Sequence, residues 1–176
     1  MTFAFQLLSE QKQIAPDIRV ELISLLARAA GPEGMVGGQA HDIEAEGKHL
    51  TLSELKILDA CKTGCLLSAP VSMACAVAGT ALKDRVLLEN FAAHLGLLFQ
   101  ITDDLLDEKG NLEDMGKMPG QDEKDHKSTF VTILGVEEAE KYAEEEGALA
   151  KEALAKLPFD STILYELTDL LLHRKK

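Results

Sequence analysis

Tryptophan is absent from this 176-residue chain, and two tyrosines and six phenylalanines make up its whole aromatic content. So few rings disfavour sheet, where aromatic and β-branched side chains gather, and leave alanine and leucine to build a helical core. Cysteine is also scarce: Cys61, Cys65 and Cys75 share one apolar stretch. An odd number in a single segment makes no disulfide framework, so buried, reduced thiols are expected. Positive charge is short as well, with 18 Lys and Arg against 30 Asp and Glu for a net charge of −12. That balance argues against nucleic acid or an anionic membrane as the main partner. No uninterrupted apolar run approaches the ~20 residues of a spanning helix, and no basic, apolar leader with a small-residue cleavage site opens the chain. A cytoplasmic protein without membrane insertion is the expectation.

What is present reads as helix nearly throughout. Residues 2–8 form an apolar stub with no N-cap. Pro16 suits a first helical turn, and Ile18, Leu22, Leu25 and Leu26 supply a stripe at helical spacing. Glycines 31, 34, 37 and 38 then thin out the side chains. Each interior glycine costs a helix about 1 kcal/mol, so the run signals a break or a close helix approach. Thr51 with Glu54 makes a capping-box pattern that opens a long helix to about Ala78, with Pro70 expected to kink it and Gly79 to end it. A second long helix runs from about 82 to 107, a polar loop punctuated by Gly and Pro covers 109–129, and helices over 136–157 and 161–174 follow. No repeat or strand pattern emerges, so residues 1–176 are expected to form a single all-α domain, a helical bundle.

The most informative stretch is FQITDDLLD, Phe99 to Asp107. Asp103 and Asp107 are four residues apart and share a helix face, with Asp104 at the flank. Like charges at that spacing repel by a few tenths of a kcal/mol, and aspartate is a mediocre helix former, so the turn is a local cost unless a cation binds there. A hard divalent ion such as Mg²⁺ fits, since it takes oxygen ligands and completes its shell with water or phosphate oxygens. A solvated acidic helix end is the alternative on spacing alone.

This string resembles the second aspartate-rich motif of the trans-isoprenyl diphosphate synthases, the farnesyl and geranylgeranyl diphosphate synthase family. Other motifs of that family match in order. GGQAHDIEAEG (37–47) and KTG (62–64) precede it, GKMPGQDEKDHKSTF (116–130) follows it, and His173-Arg174-Lys175-Lys176 closes the chain. The resemblance implies the isoprenoid-synthase helical bundle and a Mg²⁺-dependent transferase. Such an enzyme joins an allylic diphosphate to isopentenyl diphosphate by ionisation, condensation and elimination, usually as a homodimer. It further implies that Asp103 leads the metal ligands, with Asp104 and Asp107 as direct or water-mediated helpers. Lys62, Lys117 and Lys127 would hold the allylic diphosphate, and Thr63 and Gln100 would turn oxygens toward the developing cation. Gln39 and Asp42 would line the site, Asp122 would arrange the lysine-bearing loop, and Arg174 to Lys176 would fold over the isopentenyl diphosphate pocket.

The chain departs from the family pattern in two places. Phe130-Val131 stands where Tyr-Pro commonly follows KST, and no second Asp-Asp pair occurs, so the first aspartate-rich motif and its arginines are missing. The chain therefore resembles the C-terminal portion of such an enzyme, with the N-terminal helices missing. Two other readings stay open. One is a non-catalytic fragment or subunit that supplies one wall of the diphosphate site. The other is a di-iron carboxylate bundle, since Glu46-x-x-His49 and Glu123-x-x-His126 have the spacing such bundles use.

Overall fold

The computed structural model describes residues 1–109 and 127–174, and among these residues every regular element is helical. In chain order they are α1 (Thr2–Glu10), α2 (Pro16–Ala30), α3 (Met35–Glu44), α4 (Leu52–Asp59), a π-helical turn (Ala60–Gly64), α5 (Cys65–Ala78), α6 (Leu82–Lys109), α7 (Phe130–Leu134), α8 (Val136–Ala155) and α9 (Thr162–Leu172). The all-α expectation is met. Lys117, Asp122, Glu123, His126, Lys175 and Lys176 lie outside the described residues.

Local chemistry sets several boundaries. Thr51 accepts the Glu54 N–H at 3.3 Å while Glu54 Oε2 accepts the Thr51 N–H at 2.8 Å, so two otherwise orphaned donors at the start of α4 are satisfied reciprocally. Pro16 occupies the first turn of α2. At the far end of α5 Gly79 adopts φ +61°, a left-handed conformation that glycine enters without a Cβ penalty.

The 28-residue α6 is the axis of the bundle. It packs against α8 along most of its length and also meets α5, the π-turn, α7 and α9. The α8 face that meets it carries Ala139, Ala143, Ala150 and Ala153, all buried. Gly147 lies among them, close to Leu98 and Leu172. Short side chains bring the helix backbones near each other, so the larger residues of α6 fill the groove between them. Leu98, Ile101 and Leu105 meet Leu55 and Phe130 in one cluster; Phe91 and Ala92 meet Leu154 and Leu157 in another. Cys61, Cys65 and Cys75 are free thiols, and Cys75 is buried.

Two local features were not evident from periodicity. The long helix from Thr51 to Ala78 contains a π-turn, so one extra residue enters its circuit at 60–64 and the axis continues on through Pro70. The segment before Val136 contains α7, which starts on its own capping box of Thr129 and Thr132. Counting only uninterrupted apolar residues also missed that the continuous rod Leu52–Ala78 is long and apolar enough to cross a membrane by length and composition. Core helices of soluble bundles satisfy the same test, although only 17% of its most apolar window is buried.

Phe130 is wholly enclosed by the first cluster, with its ring 6.0 Å from that of Tyr142. Phe130→Ala should therefore destabilise the chain by about 3–5 kcal/mol. Urea unfolding checks this, and a loss below about 1 kcal/mol would mean that α7 is not anchored as described.

Candidate active site

The end of α3, the second half of α4, the π-turn, the second half of α6 and the residues entering α7 converge on one cavity of about 150 Å³. Asp42, Lys62, Gln100, Asp103, Asp104 and Lys127 all line it, although they are spread over 86 positions of sequence. Of the remaining expected residues, Thr63 touches this group through Gln100. Gln39 is exposed and is not among the lining residues. Asp107 is buried one turn beyond Asp103 and does not line the cavity.

Each carboxylate is handled differently. Asp42 on α3 takes the Lys62 ammonium at 2.7 Å, a half-buried, charge-assisted contact. Asp104 is buried, accepting the Gln100 side-chain N–H at 3.1 Å and the Phe130 backbone N–H at 2.8 Å. Gln100 in turn accepts the Thr63 hydroxyl at 3.3 Å. The chain Thr63–Gln100–Asp104–Phe130 thus ties the π-turn, α6 and α7 together. Asp103, about half exposed at the cavity rim, accepts Arg174 at 3.1 Å. The same guanidinium lies 4.6 Å from the centre of the Phe99 ring, so cation–π attraction supports the ion pair.

Asp59 is the residue that reading the sequence missed. It is buried at the foot of the cavity, and its Oδ2 has no hydrogen-bond donor among the described residues. It also forms part of the wall of a second cavity, of about 260 Å³, beside the His94–Glu146 pair. Burial pushes its pKa up from 3.8 to about 7, and the neighbouring Asp104 charge adds to the rise. A signal was present: Asp59 lies four residues after buried Leu55, hence on the buried stripe of α4.

The donor set accommodates a hard divalent cation in one particular way. Asp103 offers carboxylate oxygens at the rim, while buried Asp104 is engaged by two protein N–H groups and Asp107 is buried outside the cavity lining. Among the described residues no three His, Cys, Asp or Glu side chains group to hold an ion by themselves. That suits Mg²⁺, which is commonly held by one or two carboxylates together with substrate phosphate oxygens. It suits a di-iron cluster poorly. Glu46 and His49 are exposed and follow the end of α3, and the other Glu-x-x-His string lies outside the described residues.

The polyprenyl synthetase family model matches residues 1–161. The chain is 47% identical over 138 residues to the farnesyl diphosphate synthase of Geobacillus stearothermophilus, covering 77% of this chain and 46% of that enzyme. It is 36% identical over 181 residues to the farnesyl diphosphate synthase of Escherichia coli, covering 99% of this chain and 60% of that enzyme. Among solved structures, a geranyltransferase of Helicobacter pylori complexed with magnesium and isoprenyl diphosphate superposes with a TM-score of 0.82 at 34% identity, over 97% of this chain and 56% of that one. An all-helical fold bearing an aspartate-rich turn and facing lysines defines the isoprenoid-synthase class. The chain belongs to the polyprenyl synthetase family. It spans 46% and 60% of the length of the two farnesyl diphosphate synthases named here.

The raised pKa of Asp59 has a direct consequence for stability. An acid raised from 3.8 to about 7 stays protonated in the folded chain at pH values where the unfolded chain has released its proton. The folded state then binds more protons between about pH 4 and pH 7, so this group makes stability fall as pH rises through that window. In the metal-free chain Asp59→Asn should flatten that slope and raise the unfolding midpoint more at pH 8 than at pH 5. Thermal melts at the two pH values check it; equal shifts at both would remove Asp59 from this role.

Proposed function

We propose that this chain supplies the second-aspartate half of a short-chain isoprenyl diphosphate synthase, which condenses an allylic diphosphate with isopentenyl diphosphate. The supporting observation is the convergence of Asp103, Lys62 and Lys127 on one cavity from three separate segments. Opposite charges placed across a small cavity are what a multiply charged leaving group with its counter-cation requires.

The roles follow from chemistry and position. Bound Mg²⁺ would neutralise the departing diphosphate as a Lewis acid, with Asp103 as its first protein ligand and Asp104 and Asp107 supporting the turn. Lys62 and Lys127 would bind the diphosphate oxygens, Lys62 by exchanging its contact with Asp42 for them. Lys117 and Asp122 join this group by resemblance alone. Thr63 and Gln100 would face the allylic cation with dipoles rather than nucleophiles, so the cation is stabilised without being captured. Gln39, exposed and outside the cavity lining, is assigned to ordering water by resemblance alone. Arg174, already paired with Asp103, would close the cavity from the tail side and exclude water from the reacting carbons.

A second reading is a non-catalytic wall that completes another chain's site. The supporting observation is that, of the three expected metal ligands, Asp104 and Asp107 are buried while Asp103 is about half exposed. Exposed Val20, Leu67, Leu82 and Val86 support assembly into a homodimer, and sedimentation showing a stable monomer would count against it. The free thiols of Cys61, Cys65 and Cys75 support a reducing, cytoplasmic setting.

The deciding assay incubates the chain with geranyl diphosphate, isopentenyl diphosphate and Mg²⁺. It is then repeated with a chimaera carrying the N-terminal part of the Geobacillus stearothermophilus relative. Longer prenyl diphosphates are expected from the chimaera, and no product from either protein overturns the proposal. Product from the chimaera alone fits a catalytic half, and Asp103→Ala in it should lower turnover by about 10²-fold or more. Unchanged turnover would remove Asp103 from the metal role.

A further inference from the structure

The π-turn Ala60–Gly64 carries both Lys62 and Thr63, yet such a turn does not hold itself in place. Its ring is wider than that of an α-helix, π-turns are rare, and those that persist do so where the surroundings secure them, often at functional sites. Here two helices secure it. A Cβ on Gly38 of α3 would lie 2.3 Å from Lys62 N, 2.5 Å from Lys62 Cα and 2.8 Å from the Cys61 carbonyl carbon. All three are backbone atoms, so no side chain can swing aside to make room. From α6, a Cβ on Gly96 would lie 3.3 Å from Gly64 Cα.

On both helices the glycine is followed one turn later by a polar side chain that grips the same π-turn. Asp42, four residues after Gly38, takes Lys62 Nζ at 2.7 Å. Gln100, four residues after Gly96, takes the Thr63 hydroxyl at 3.3 Å. Residues four apart stand one above the other on a helix face, so each helix presses on the backbone with the glycine and holds a side chain with its partner. We infer that Gly38 and Gly96 are positioning residues that clamp the π-turn from two sides and thereby fix where Lys62 meets the diphosphate and where Thr63 faces the allylic cation. This inference rests on the diphosphate reading of the cavity.

The test uses the full chain with inorganic pyrophosphate and Mg²⁺, titrated calorimetrically, with thermal melts to report folding. Gly38→Ala should weaken pyrophosphate binding by about tenfold or more, and Gly96→Ala, whose contact is looser, by a smaller factor. A clamp that acts through Lys62 has no leverage once that ammonium is gone. In a Lys62→Ala background, either alanine should therefore change affinity by less than about twofold. Affinity in Gly38→Ala within about twofold of the parent chain overturns the clamp. So does an equal loss with and without Lys62, which would mean general damage to the fold. Should Gly38→Ala fail to fold, Gly96→Ala and its Lys62→Ala double carry the same comparison, because a 3.3 Å contact yields to a small backbone shift. Absence of pyrophosphate binding by the parent chain overturns the diphosphate reading itself, and the clamp with it. Binding by the parent with unchanged glycine variants overturns the clamp alone.

Discussion

Among the described residues, five carboxylates, those of Asp42, Glu46, Asp59, Asp103 and Asp104, line a cavity together with two lysines. That imbalance is the constraint around which this half of the bundle is arranged, because uncompensated charge cannot be held close and partly dry. Glu46 is exposed to solvent, and the other four acids are each relieved within the protein. Asp42 has the Lys62 ammonium, Asp104 the amide of Gln100 and the backbone of Phe130, Asp103 the Arg174 guanidinium, and Asp59 retains its proton near neutral pH. Pairing, backbone donation and protonation leave Asp103 half exposed at the rim, where the proposed divalent ion would displace the arginine.

The bundle was legible from periodicity because its signals are local. The stripe in α2, the Thr51–Glu54 capping box and the left-handed Gly79 each act within a turn or two of chain, and each stands where expected. The candidate site was legible for another reason: the order of several motifs identified a family, and the cavity gathers six residues named on that ground. Spacing put Asp103 and Asp107 on one helix face with Asp104 at the flank, and the family resemblance made Asp103 the leading ligand with the other two as helpers. In the structure Asp103 lies half exposed at the cavity rim, Asp104 accepts the Phe130 amide, and Asp107 is buried outside the cavity lining.

What periodicity could not supply was anything decided by a neighbouring helix. The π-turn inserts a residue without altering the composition around it, and nothing near Lys62 in sequence reports that Gly38 lies against its backbone. Helix α7 is five residues long and owes its start to Thr129 and Thr132, too short a span for a hydrophobic period to register. Asp59 carries no motif and matches no position of the family pattern, so neither singled it out as a site residue. Its burial is set by α6 and by the cavity behind it.

The rod from Leu52 to Ala78 has the reach and greasiness of a bilayer crossing, yet Asp59 and Lys62 sit near its middle. Insertion machinery that weighs a segment residue by residue charges about 2.5–3.5 kcal/mol for such an ion at mid-depth. The two groups that furnish the cavity therefore also weigh against lipid as a destination for this helix. Any drift toward neutral residues at 59 and 62 would alter not only chemistry but how a nascent chain is sorted.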